Sequence, residues 1–329
     1  MQTVLNYILF YGILMPLSLL PMWFLYVLSS LIRLLLCYVI KYRKDIIASN
    51  LANSFPEKSK AEINHLINEY YAHLADLLVE AVKMLTISKK NLLRRYRCIN
   101  PELPNAFYEQ GRSIVLASAH YNNWEYMVAS LDMQISHHGV GVGKRMSNKT
   151  FELLAFKKRT RYGTEVCYAD NVRSVMETYN KERIPCAYML LSDQSPNNSK
   201  KCYWASFLNQ PTALIYGAEY FAKKYDFPVL FYRVEKRKRG RYEVRFEIIT
   251  ATPRETQYGR IIEDIASRTE DMIRKNRKLV SLQPIRPALS IDHYRHFKFQ
   301  GIRHFVHYNR IYLFKFRFAN IENQFVVNL

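Results

Sequence analysis

The residues best suited to move a proton in this chain are His120 and Glu125, in the stretch Ser118-Ala119-His120-Tyr121-Asn122-Asn123-Trp124-Glu125. A neutral imidazole can take a hydroxyl proton near neutral pH. A carboxylate that accepts the other ring N–H fixes the tautomer and stabilises the imidazolium. Five residues apart on one continuous helix, the two side chains diverge. They meet if His120 lies in a turn and Glu125 on the first turn of the helix that follows. Spacing alone makes this a weak pattern, and a buried histidine satisfying backbone groups at a helix start is the plainer alternative. Three neighbours add chemistry: Arg145 after Gly143-Lys144, Arg161 at the end of a basic stretch, and Asp193-Gln194 ahead of Ser195-Pro196. Guanidinium groups pair with phosphates and developing oxyanions, although each arginine also reads as an ordinary solvated surface charge.

The elements that must position these residues alternate between strand and helix. Residues 113–118 form a short apolar run of the kind found in buried strands, and 124–135 read as a helix. Further strands are expected at 140–143, 166–168, 184–191, 227–234 and 241–249. Helices are expected at 50–86, 148–162, 172–181, 212–225 and 254–275, with Pro56 in the first turn of the helix it opens. This alternation predicts an α/β fold with a mixed sheet covered by helices. Active sites of open α/β sheets lie just past the carboxyl ends of strands. His120 follows one predicted strand, and Asp193-Gln194 follow another.

Composition narrows the setting. From Met1 to Ile32 there is no charged side chain, and Arg33, Lys41, Arg43 and Lys44 follow. About 20 mostly apolar residues suffice to cross a bilayer. A secretory signal would carry its positive charge before the apolar run. Charge placed after it predicts a membrane anchor over residues 1–45 with the body of the chain in the cytoplasm. Pro16 and Pro21 make this one kinked span or a helix lying in the interface, and a buried helix of a soluble domain is the alternative. The net charge of +20 requires an anionic counterpart: phospholipid head groups, an acidic protein or nucleic acid. Nucleic acid is disfavoured, because the chain opens on a membrane-length apolar segment and carries no nucleic-acid fold signature. The five cysteines are scattered without a CxxC pair, which suggests neither a zinc site nor a disulfide framework.

Taken in order, these blocks resemble the late acyltransferases of lipid A biosynthesis, a family of lysophospholipid-acyltransferase type. Asn50-Leu51 with Phe55-Pro56 resembles its segment after the anchor, and His120 through Glu125 its H-x4-[DE] block. Gly143-Lys144-Arg145 through Arg161-Tyr162-Gly163 resembles its basic block, and Asp193-Gln194-Ser195-Pro196 its DQ-x-P turn. Phe207 through Thr212 and on to Gly217-Ala218-Glu219 resembles the segment before its acyl-chain region. The resemblance implies a glycerolipid-acyltransferase-like fold over residues 46–276 and an O-acyltransferase on the cytoplasmic face of a Gram-negative inner membrane. It implies His120 as general base, Glu125 as its orienting carboxylate and Arg145 and Arg161 as phosphate or oxyanion partners. Asp193 and Gln194 would shape the pocket, with Thr212 and Glu219 as weaker candidates. Acyl carrier protein, an anionic lipid acceptor and the membrane are the implied partners. Neither metal nor tightly held cofactor is expected, since acyl carrier protein or coenzyme A delivers the acyl group as co-substrate.

The resemblance stops after Met272-Ile273-Arg274-Lys275-Asn276. Residues 277–329 are rich in Phe, Tyr, His and basic residues without an amphipathic period. They read as the product of a reading-frame change near residue 277, or alternatively as a basic-aromatic tail on the membrane surface. Competing functions are an acyltransferase with a lysophospholipid or aminolipid acceptor, and an inactive membrane scaffold. The basic run Glu235 through Gly240 reads as a solvated hairpin tip rather than a carrier-protein site.

Overall fold

The computed structural model describes residues 2–145, 148, 152–153, 156, 159–193 and 202–275. The tail beyond Lys275 and the segment containing Gln194 lie outside the described residues, as does much of the expected helix at 148–162. The apolar N-terminus is helical: α1 (Gln2–Tyr7), a π-helical turn (Ile8–Leu14), α2 (Met15–Leu19), α3 (Met22–Leu34) and a second π-helical turn (Leu35–Val39). The chain breaks between α2 and α3 at Leu20-Pro21, where both residues turn to extended backbone. Then come α4 (Lys44–Ser54), α5 (Lys60–Met84), α6 (Lys89–Arg95), β1 (Tyr96–Cys98) and α7 (Glu102–Glu109). The central section holds β2 (Ile114–Ser118), α8 (Trp124–Ser130), β3 (His138–Gly143), β4 (Glu165–Tyr168), α9 (Val172–Lys181) and β5 (Cys186–Leu191). The last section holds β6 (Cys202–Phe207), β7 (Gln210–Ile215), α10 (Gly217–Tyr225), β8 (Val229–Lys238), β9 (Arg241–Thr250) and α11 (Arg260–Lys275).

Seven strands form one mixed sheet in the order β1-β9-β8-β2-β5-β3-β4, and β6 and β7 form a separate hairpin. Neighbours run parallel except β8 and β9, which are antiparallel. Side chains of a strand alternate between faces, and both faces of β2 are covered. Val115 and Ala117 join a core with Tyr71, Tyr188 and Met272, whereas Ile114 and Leu116 join one with Tyr126, Met189 and Phe246. The α/β fold expected from the sequence is therefore present.

Several expected boundaries differ. The helix expected over 50–86 is two helices, because Ser59 starts a new one. Its hydroxyl accepts from the Glu62 N–H, and the Glu62 carboxylate accepts from the Ser59 N–H. Such a capping box satisfies two otherwise orphaned donors, and Pro56 sits in the connecting turn instead. The helix expected over 212–225 begins only at Gly217, since 210–215 pair with 202–207 as a hairpin. The last helix begins at Arg260, not 254.

The N-terminal helices pack along α5. Met22 and Leu25 of α3 are buried against Val79, while Leu19, Trp23, Phe24, Leu31, Tyr38 and Val39 remain exposed. Residues Met22–Val39 are long and apolar enough to cross a membrane. The β8–β9 tip is docked on this pair of helices rather than solvated as the sequence suggested. Asp76 of α5, 5% exposed, accepts from Ser29 at 2.7 Å and from Arg239 Nε at 2.8 Å, and pairs with Lys236 at 3.3 Å. The Arg239 guanidinium lies 4.5 Å from the Tyr26 ring centroid. Gly240 takes a positive φ of 67°, and a Cβ there would stand 1.7 Å from the Tyr26 hydroxyl. No other residue fits this approach without displacing Tyr26.

Burial pushes the Asp76 carboxyl up, but hydrogen bonds from Arg239 and Ser29 and the nearby cations outweigh it, leaving the carboxyl below its ordinary value. Asp76→Asn is therefore expected to cost about 2 kcal/mol, the range of a hydrogen-bonded buried charge, read by thermal unfolding in micelles. A depressed pKa gives stability that is present above the ordinary carboxylate range and lost as pH falls through the folded pKa. The gap between wild type and variant should thus close below about pH 4. A gap that persists there would mean the charge is not what stabilises the contact.

Candidate active site

The site follows from strand register. Ser118 and Leu191 are paired at the carboxyl ends of the parallel strands β2 and β5, and the Ser192 N–H donates to the Ser118 carbonyl at 2.9 Å. Two residues beyond each strand stand His120 and Asp193, side by side. The His120 backbone N–H donates to Asp193 Oδ2 at 3.0 Å, and His120 Nδ1 lies 2.7 Å from Asp193 Oδ1. With the Nδ1 proton directed at the carboxylate, Nε2 carries the lone pair. The imidazole also meets the Trp124 ring edge-to-face, centroids 5.3 Å apart. Both members of the pair are mostly buried, with side chains 16% and 12% exposed.

The carboxylate on the imidazole is thus that of Asp193, where the sequence had suggested Glu125. The turn explains the difference. Ser118 is tied to the Tyr232 carbonyl at 2.8 Å and Asn122 to the Val234 carbonyl at 2.8 Å, while Asn122 takes a left-handed φ of 55°. Asn123 then caps α8, its Oδ1 accepting from the Tyr126 N–H at 3.0 Å. Glu125, on the first turn of α8, receives a two-pronged contact from Arg159. Arg159 Nε donates to Glu125 Oε2 at 2.6 Å, and Arg159 Nη2 donates to Oε1. The Arg159 guanidinium also lies 5.8 Å from the Trp124 centroid. Burial disfavours its charge, yet the facing carboxylate more than offsets this and holds it above its ordinary value.

Arg159 escaped the sequence reading because its stretch carries five cations, Lys149, Lys157, Lys158, Arg159 and Arg161. A weak signal was Phe156, three residues earlier and half-buried, on the same helical side at i, i+3 spacing. The two arginines singled out from sequence have other partners. Arg145 is exposed, bonded to Asp170 at 3.0 Å and set 4.1 Å over the Tyr168 ring at the edge strand β4. Arg161 donates to the carbonyls of Leu85 and Ile87 and so ties its segment to the end of α5. Thr212 is buried with its hydroxyl on the Gln210 carbonyl. Glu219, fully buried, accepts from the N–H groups of Gly259 and Ile262 and so caps α11. Gln194 lies outside the described residues.

Beside Asp193 lies a small apolar slot with room for about one water, walled by Phe207 and Leu214 of the β6–β7 hairpin and by Ile262, Ile265, Ala266 and Thr269 of α11. The cysteines are free. Burial pushes the Cys98, Cys167 and Cys186 thiols up to about 12, which makes them unreactive. Among the described residues no cluster of three His, Cys, Asp or Glu could hold a metal ion.

A strand-end imidazole held by a carboxylate in an α/β fold is an arrangement suited to moving a proton. The profile of the bacterial lipid A biosynthesis acyltransferases matches residues 2–278, and the chain belongs to that family. It is an acyltransferase of the lipid A type. Comparison with curated proteins finds no match.

Proposed function

We propose that the protein transfers a fatty acyl group from a thioester of acyl carrier protein to a hydroxyl of a lipid A precursor at a Gram-negative inner membrane. The observation that carries this reading is the His120–Asp193 pair at the ends of β2 and β5. The acceptor hydroxyl attacks the thioester carbonyl carbon as His120 Nε2 takes its proton. The tetrahedral intermediate collapses, the C–S bond breaks, and the departing thiolate recovers the proton from the imidazolium. Asp193 holds the ring tautomer. Glu125 holds Arg159 beside Trp124, and the role assigned to the Arg159 charge is to stabilise the developing oxyanion. The exposed Arg145 meets a phosphate of the acceptor. The acyl thioester is a co-substrate, and the proposed step draws on no resident metal or cofactor.

The apolar face of α1–α3 enters the bilayer, and the first cations, Arg33 in the last turn of α3 and Lys41, Arg43 and Lys44 beyond it, favour a catalytic body on the cytoplasmic side. The surplus of +20 suits an acidic carrier protein, phosphorylated acceptors and an anionic leaflet. Residues 1–45 act as the anchor and 46–276 as the catalytic body.

The test is full-length protein in micelles with a labelled acyl carrier protein thioester and a lipid A precursor, the product read by mass spectrometry. No acylated lipid A product would sink the reading. Acylation of a lysophospholipid or aminolipid instead would move the acceptor, and inertness toward all of them would leave a scaffold. In this reading the acyl tail enters beside Asp193 by widening the slot between α11 and the β6–β7 hairpin. Ala266→Phe is expected to shift preference toward chains about two methylenes shorter. At about 0.8 kcal/mol for each buried methylene, competition between the two lengths should change by about tenfold. An unchanged length profile would remove the slot from acyl binding.

A further inference from the structure

One fully buried carboxylate has no place in the reaction just described. Glu80 of α5 is 0% exposed. Its Oε1 accepts from the Tyr26 hydroxyl of α3 at 2.9 Å. Its Oε2 accepts from Asn123 Nδ2 at 2.6 Å and from the Tyr242 hydroxyl of β9 at 2.9 Å. Burial pushes its pKa up against the pull of these three donors. Stability alone does not favour such a group, because apolar packing in the same volume is often as good or better.

What the carboxylate does is fix an amide. Asn123 uses Nδ2 on Glu80 and Oδ1 on the Tyr126 N–H. With Glu80 as acceptor, the amide is set with its oxygen on the helix terminus. That cap opens α8, whose first two residues are Trp124, against the His120 ring, and Glu125, bound by Arg159. On its other side Glu80 holds Tyr26, which stands on the apolar segment Met22–Val39.

We propose that Glu80 is a positioning residue for the reaction. Through Asn123 it holds the turn bearing His120 and the start of α8, and through Tyr26 it makes that hold depend on the seating of the N-terminal helix. Turnover is thereby linked to correct docking of the anchor. This inference rests on the acyl-transfer reading of the same site.

The experiment uses the full chain in micelles with fluorinated tryptophan. The sequence holds three tryptophans, Trp23, Trp124 and Trp204, so the Trp124 line can be assigned by Trp124→Phe. Displacements of about 1 Å in a catalytic group cost on the order of 100-fold in rate, so Glu80→Ala is expected to lower kcat about 30- to 100-fold with KM for the thioester within about threefold. It should also move the Trp124 line and leave Trp204, on β6, in place. Glu80→Gln keeps one acceptor for Asn123 and turns its amide N–H toward a tyrosine hydroxyl, so it should recover kcat to within about fivefold of wild type. Tyr26→Phe, which removes one hydroxyl, should shift the same line and add nothing further in combination with Glu80→Ala.

If Glu80→Ala merely lowers the melting temperature, with kcat per folded molecule and the Trp124 line as in wild type, the proposal is overturned. Should that variant not fold, Tyr26→Phe decides: wild-type kcat and an unmoved line overturn it equally. A wild-type enzyme with no acyl transfer would sink the reading of function, whereas the fluorine lines report the coupling without any turnover.

Discussion

Replacing His120 with glutamine is expected to lower acyl transfer about 1,000-fold, within the range of one positioned general base, while the protein stays folded. The glutamine amide can still donate toward Asp193, which occupies the Nδ1 side of the ring at 2.7 Å. What it lacks is a basic lone pair on the opposite side. The hydroxyl must then lose its proton to water, and the thiolate must leave without an acid at hand. Residual rate should come from orientation and from the Arg159 charge. The measurement is single-turnover acyl transfer in micelles, with unfolding followed in parallel. Turnover within about tenfold of wild type would remove His120 from the proton path, because no general-base loss is that small.

Asp193→Asn should cost about 100- to 10,000-fold in kcat, the scale seen when a histidine's orienting carboxylate becomes an amide. The carboxylate accepts twice, from the His120 backbone N–H at 3.0 Å and from the ring at 2.7 Å. An amide offers one acceptor atom. If it serves the backbone, its NH2 faces Nδ1, the ring proton moves to Nε2, and the base is lost. If it serves the ring, an N–H of the turn is left facing a donor. Either way the imidazolium loses its counter-charge. The stability cost should be about 1.5–3 kcal/mol, that of a hydrogen bond to a charged group, which separates the effect from unfolding. An Asp193→Asn enzyme with wild-type kcat would mean that another group orients the imidazole.

The contrast between Asp193 and Glu125 shows where sequence reading stopped. His120 and Asp193 were both visible as polar residues at strand ends, because apolar runs bounded by polar residues mark buried strands. That the two strands are neighbours, paired Ser118 to Leu191, is not a local property, since β3 and β4 lie between them in sequence. Proximity in sequence favoured Glu125, and proximity in the sheet favoured Asp193. The same reason hid Arg159 among its basic neighbours: five cations look alike until one has an anion to face. The β6–β7 hairpin was missed because its second strand runs into α10 with little break, and Gly217 alone marks the change. The role of the basic β8–β9 tip was also invisible locally, because charge beside a glycine turn ordinarily means solvent, and Asp76 lies more than 150 residues earlier.

By itself the sequence determined the fold class, the apolar N-terminal segment, the strand-end histidine and aspartate, and, through the order of its blocks, the family. Hydrophobic period and turn chemistry are local, and they are written within a window of a few residues. Only the tertiary structure decided which carboxylate meets the imidazole, which arginine meets Glu125, and that Glu80 joins the N-terminal helix to the turn at Asn123. Those pairings follow from strand order and helix docking, and the desolvation that makes a buried charge choose a single partner exists only once the layers have closed.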